Sequence, residues 1–184
     1  SNDPLSKAGA VEGLASVVAA HPNIALHRCD LGGLGAVALG ARHGVIGVGT
    51  TLRHVVPPDK RAGGRPGDRS PSVFIPDLLS FLKGTRLAGL AAGDREGRFS
   101  CELPGCDGRP YRTFSDPASK ADALVHNQHA VEHIVAKVLD VSATRRFALF
   151  RELCENAIVA AAELSGELRQ DVTVSSQLTS WTAL

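Results

Sequence analysis

FSCELPGCDGRPYRTFSDPASKADALVHNQHAVEH, residues 99–133, is the stretch that decides how this chain reads. It carries two of the chain's four cysteines and three of its seven histidines, and Cys101 and Cys106 stand at Cys-x4-Cys spacing around the tight-turn pair Pro104-Gly105. Thiolate and imidazole are the donors that tetrahedral zinc takes. A short cysteine loop followed by a helix with histidines one turn apart is a common way of presenting them. Asp116-Pro117 opens that helix, with the aspartate as N-cap and the proline at the first helical position. Leu124, Val131, Ile134, Val135 and Val138 then form an apolar stripe, and at about 100° per residue Asp122, His126, His129 and His133 fall on the opposite side. His129 and His133, four residues apart, put their rings on adjacent turns facing one way. The ligand set expected is therefore Cys101, Cys106, His129 and His133, with His126 in reserve. The competing reading is a pair of plain thiols beside a solvated histidine face.

A Cys2His2 finger that reads DNA begins in the same way, but it places about 12 residues between the second cysteine and the first histidine. Here Cys106 and His129 are separated by 22 residues. The start of the helix also offers Ala118, Ser119, Lys120 and Asp122, which are not base-reading side chains. The stretch reads as a structural clasp rather than a finger.

Composition supports an ordinary globular core. The 184 residues are 43% hydrophobic and 21% charged, and 20 basic against 19 acidic side chains leave a formal net charge of +1. No global field marks a nucleic-acid binder, so any such role must rest on a local patch. No run approaches the roughly 18 apolar residues of a membrane helix. The opening SNDPLSKAG lacks a basic region followed by an apolar core, so a cytoplasmic address is expected and no membrane partner. Four cysteines with two at knuckle spacing read as a metal pair plus two thiols, not as a disulfide framework.

Upstream of the knuckle, residues 4–20 read as a helix, with Val11, Leu14, Val17 and Val18 at helical spacing and His21-Pro22 as the stop. Asn23–Cys29 reads as a strand and DLGGLGAVALGARH as a helix with Asp30 as candidate N-cap. Residues 44–50, GVIGVGT, read as a buried parallel strand. That rhythm is a βαβ layer or barrel. His27, Cys29 and Asp30 sit at the C-terminal end of a strand, where such folds place chemistry, and Asp30 is the one weak catalytic candidate. Residues 51–72 form a loop in which Arg53, Lys60, Arg61, Arg65 and Arg69 face only Asp59 and Asp68, a local positive excess suited to phosphate. Residues 73–84 read as a strand into a short helix, and 86–103 as a β-hairpin turning at Gly93-Asp94.

Downstream, Ser142 or Thr144 caps a long helix carrying Phe147, Phe150, Cys154, Ile158, Ala161 and Leu164 at spacings of three and four. DVTVSSQLTSWTAL reads as an edge strand or a partner contact, since Trp181 is costly to leave exposed.

The order of these pieces resembles the C-terminal part of the tRNA-guanine transglycosylase superfamily. IALHRCDLGGLGAVALGA is similar to its strand and helix, and GVIGVGTTLRH with Arg53 to its Gly-Val/Ile-Asp strand and Pro-Thr-Arg loop. CELPGC is similar to its zinc-binding cysteine cluster, and His126-Asn127 to the His-Asn opening of its next helix. The best match is HNQHAVEHIVAKVLDVSATRRFALF, where Phe147 and Phe150 repeat the family's Phe-x-x-Phe step; the resemblance spans about residues 23–150. It implies a (β/α) barrel, structural zinc and exchange of guanine for a 7-deazaguanine in tRNA or DNA. The departures are that GVIGVGT carries no acid where the family has its nucleophilic aspartate, and that two cysteines stand where the family has three.

The expectation is thus an α/β chain, a partial or reduced (β/α) barrel-like domain with a zinc knuckle and C-terminal helices. Residues 1–98 form the α/β portion with basic loop 53–72, and 99–184 the knuckle and helices, in one compact unit. Its expected role is zinc-dependent support of nucleic-acid base modification, as a part or non-catalytic subunit of a larger assembly, with tRNA or DNA and a protein partner or second copy as partners. The alternatives are a zinc-stabilised protein-interaction module and a small-molecule enzyme using His27, Cys29 and Asp30.

Overall fold

Among the described residues three hydrophobic clusters, not a barrel, organise the fold. The computed structural model describes residues 4–49, 67–94 and 99–184. Of the basic loop, Arg53, Lys60, Arg61 and Arg65 lie outside the described residues, while Arg69 is exposed.

The N-terminal third follows the expected order. Helix α1 spans Ala10–Ala20 after one turn of 3-10 helix at Pro4–Ser6, and ends where His21-Pro22 forbids continuation. Strand β1 (Ala25–Cys29), helix α2 (Gly32–Ala38) and strand β2 (His43–Ile46) make a βαβ unit whose strands pair in parallel, Ala25 opposite His43 and Leu26 opposite Gly44. Leu31 occupies the N-cap position of α2, and Asp30 contributes its backbone carbonyl to Gly33 N, 3.1 Å away. Strand β2 departs from the expected burial. His43, Gly44 and Val45 are exposed, although α2 packs against this two-stranded sheet.

The middle of the chain inverts two expectations. Residues 73–84 are not a strand running into a helix but a hairpin: β3 (Ser72–Ile75) pairs antiparallel with β4 (Ser80–Lys83) across a 3-10 turn at Pro76–Leu78. Phe74 lies opposite Phe81 with ring centroids 5.0 Å apart, a cross-strand aromatic pair that favours this register over a helix. Residues 86–91, expected in a hairpin, fall in helix α3 (Gly84–Ala91). Leu87 and Leu90, three apart, are both fully buried, and the helix closes at Ala92 where a hairpin was expected. Asp68 fastens the chain at the start of this region. Its carboxylate accepts from the Thr85 hydroxyl and from Ser70 N at 2.8 Å, and these bonds hold it down to about pKa 2.

Strands β5 (Ser100–Cys101) and β6 (Arg109–Pro110) are two residues each. Asp116 then caps as expected, accepting from Ala118 N at 2.8 Å, and a 3-10 turn at Pro117–Ser119 leads into helix α4 (Lys120–Leu139). Helix α5 (Ala143–Leu168) follows, buried through Phe150, Cys154 and Ala161 as expected, and helix α6 (Gln177–Thr182) closes the chain where an edge strand was expected. No described helix is long and apolar enough to cross a membrane.

Among the described residues the strands form three two-stranded sheets, so the barrel expectation is corrected to a mixed α/β architecture dominated by helices. One core joins α1, α2, α4, α5 and α6 through Val11, Leu34, Ile134, Val138, Phe150 and Trp181. A second gathers Val73, Ile75, Leu87, Leu90, Tyr111 and Phe114. A small third lies under α2 at Val18, Ala36 and Ala41. Trp181 is fully buried and packs edge-on to Phe150 at 5.4 Å, so it is a core residue and not a partner contact.

Helix α2 comes close to that aromatic pair through a glycine. A Cβ on Gly35 would stand 2.7 Å from the Trp181 ring and 2.8 Å from Phe150. Gly35→Ala is expected to cost about 1–3 kcal/mol in chemical denaturation. In a Trp181→Phe background that cost should fall by roughly half, because the smaller ring clears the added methyl. Additive losses would show that the contact is not what Gly35 protects.

Candidate metal centre

Cys101, Cys106 and His126 bring one donor atom each within 4.8 Å of one another, and this trio is the one candidate metal cluster among the described residues. Each arrives from a different element. Cys101 sits on β5 opposite Arg109. Cys106 follows a turn closed by its own N–H on the Leu103 carbonyl at 3.0 Å. Pro104 holds the first corner of that turn, and Gly105, at φ +86°, holds the second, where a type II turn needs a left-handed residue. Asp107 and Gly108, both at positive φ, reverse the chain into β6.

His126 comes from the buried face of α4. That face is Ala123, His126, Asn127, Ala130, Val131, Ile134 and Val138, whereas Leu124 is 39% exposed. At about 100° per residue the helix is turned by roughly 60° from the stripe drawn on its large apolar residues. The histidine that joins the two sulfurs is not one of the expected pair. His126, the reserve, is the buried histidine at the two sulfurs, and His129 and His133 are exposed and outside the trio.

Two contacts fix the His126 ring. Nε2 lies 2.7 Å from the Phe74 carbonyl, which can only accept, so Nε2 carries a proton. Nδ1 then points at the sulfurs, 3.4 Å from Cys106 Sγ. A metal-ligating histidine takes this arrangement, one nitrogen donating to a backbone carbonyl and the other left for the ion. Tyr111 stands edge-on to the ring at 5.8 Å and Phe114 tilts against it at 5.4 Å. Arg109 lies over the Phe114 ring at 4.5 Å and pairs with Asp122 at 2.8 Å, tying the knuckle to the first turn of α4.

The two thiols are not equivalent. Burial opposes ionisation of Cys101, but its contacts with the His126 ring, the Leu103 N–H and the Cys106 thiol outweigh it, and this thiol is held below its ordinary value. Cys106 is pushed up to about 11 by burial and then by the Cys101 sulfur beside it. Tyr111 is pushed upward by burial and by Cys101, to which it hydrogen-bonds, so its phenol remains a neutral donor to that sulfur. Two sulfurs against an imidazole can take up a cation by releasing the protons that the thiols hold.

The other sequence candidates lie apart. Cys154 is buried in α5 and pushed up to about 12, chiefly by burial, as an inert core thiol. Past a bulge in β1, the Cys29 thiol faces the Val45 carbonyl at 3.7 Å, while His27 is exposed, so the structure does not assemble them into one site.

Asn127, next to His126, is the residue that composition did not flag. Its Oδ1 accepts from Phe74 N at 2.7 Å, and its Nδ2 donates to Ser72 O at 2.8 Å and to Val48 O at 3.0 Å. Asn127→Ala should destabilise the protein by about 2–4 kcal/mol in denaturation, since it leaves the buried Phe74 N–H without its acceptor. A loss below about 0.5 kcal/mol would show that the three bonds are incidental.

The chain matches no protein-family model, no curated protein and no solved structure.

Proposed function

We propose that this chain is a zinc-binding domain in which Cys101, Cys106 and His126 hold the ion as a structural clasp. We further propose that the domain serves nucleic-acid base modification of the guanine/7-deazaguanine exchange type, as a part or non-catalytic subunit of a larger assembly. The observation that carries the metal reading is the donor trio within 4.8 Å, with His126 Nε2 already committed to a carbonyl. Two sulfurs and an imidazole suit zinc better than magnesium or calcium, which take oxygen. Bound there, the ion would join the knuckle to α4 and add its binding energy to folding.

The base-modification part draws on the motif resemblance and on the coincidence that its His-Asn step is the step supplying the buried imidazole. Helix and knuckle then belong to one device. The positive excess of residues 51–72 is the candidate phosphate contact. Residues 44–50 carry no acid, so no nucleophile is assigned to this chain.

Protein purified without added metal should contain close to one equivalent of zinc by elemental analysis, and less than about 0.2 equivalents would sink the metal reading. Because Cys106 binds its proton up to about 11, the ion must displace that proton near neutrality. Apparent zinc affinity in chelator competition should rise by at least about tenfold per pH unit between about pH 6 and 8. A flat profile would remove Cys106 from the ligand set.

Binding to tRNA or duplex DNA should weaken steeply with salt. Arg61→Gln with Arg65→Gln should lower the slope of log affinity against log salt by about 1 to 2. No binding at low salt would end the nucleic-acid part and leave the zinc part standing.

A further inference from the structure

We infer that His129 supplies the fourth ligand and closes the metal site, an assignment that rests on the zinc reading above. Three donors leave a tetrahedral ion one place short, and structural zinc sites fill that place with protein. His129 lies three residues beyond His126 on α4, so the two side chains rise from neighbouring turns of one side of the helix. Its Nδ1 stands 3.6 Å, and its Cε1 3.8 Å, from where a Cβ on Gly105 would be. The ring therefore lies beside the residue that immediately precedes Cys106. Glycine at 105 adopts φ +86° for the turn, and the His129 imidazole stands beside it. His129 is exposed, so its ring is free to change rotamer.

Asp107 is the nearest rival, close enough to Cys106 for its charge to raise that thiol. Charge decides between them. Two thiolates already neutralise a divalent cation, so a neutral imidazole completes an uncharged cluster, whereas a carboxylate would leave a net negative charge against buried Tyr111, Phe114 and Cys101. His133 is one turn farther along the helix from the knuckle.

Cobalt(II) is the probe, because thiolate-to-cobalt charge transfer counts sulfurs. His129→Cys should raise the charge-transfer intensity per bound ion by about half, three thiolates replacing two. His129→Ala should weaken zinc binding by at least about tenfold in chelator competition, and His133→Ala should leave it unchanged. An unchanged charge-transfer intensity in His129→Cys with cobalt bound overturns the assignment, whatever His129→Ala does. Failure of the unaltered protein to bind either ion overturns the zinc reading instead.

Discussion

The pair of side chains His126 and Asn127 on the backbone of strand β3 is the contact on which the rest of the structure depends. Val73, Phe74 and Ile75 are essentially fully buried, and β3 separates two cores, with Phe74 in one and Val73 and Ile75 in the other. A strand in that position needs partners along both edges, since a buried unpaired N–H or C=O costs about 1–3 kcal/mol. Strand β4 serves one edge. On the other, helix α4 does what a strand would: Asn127 takes the Phe74 N–H and gives to the Ser72 carbonyl, and His126 gives to the Phe74 carbonyl. Asn127 also reaches the Val48 carbonyl just past β2, so a single amide joins the βαβ unit to the hairpin.

The same contact prepares the chemistry. Once Nε2 of His126 is spent on Phe74, only Nδ1 is left to face Cys101 and Cys106. The ring cannot turn over without leaving a buried carbonyl unpaired, and Tyr111 and Phe114 hold its faces. The imidazole is thus oriented by the core rather than by the ion.

Much of this was legible where local rules act alone. The βαβ unit, the Asp116-Pro117 entry to α4 and the long α5 follow from punctuation and periodicity. The error on α4 has a plain cause, which is that large apolar residues were counted and small or polar ones were not. The buried face of α4 is spelled by Ala123, Asn127 and Ala130 as much as by Ile134 and Val138, so a stripe drawn through Leu124 placed His126 outside. The signal that could have found it was the His-Asn step flanked by Ala123, three residues before His126, and Ala130, three after Asn127. Residues 73–98 misled for another reason. Pro76 with Leu79 at φ +43° can turn a hairpin as readily as start a helix, and only the Phe74–Phe81 pairing decides. Trp181 was rightly judged too costly to expose, but nothing local indicates that it packs on Phe150 and leaves α2 a glycine to approach through.

The knuckle shows why a clasp belongs here. Strands β5 and β6 offer two residues each, far too little pairing to hold two sulfurs in place by themselves. Their position comes instead from side chains: Tyr111 and Phe114 anchor the returning chain in the second core, and Arg109 spans from the Phe114 ring to Asp122 on α4. The Arg109–Asp122 pair is solvent-accessible and worth at most about 1 kcal/mol, so it guides the approach without securing it. The stronger ties run through His126, which belongs to α4, touches β3 and faces both cysteines. An ion at that point would be bound to the segment least able to hold itself and to the residue most firmly held by the core.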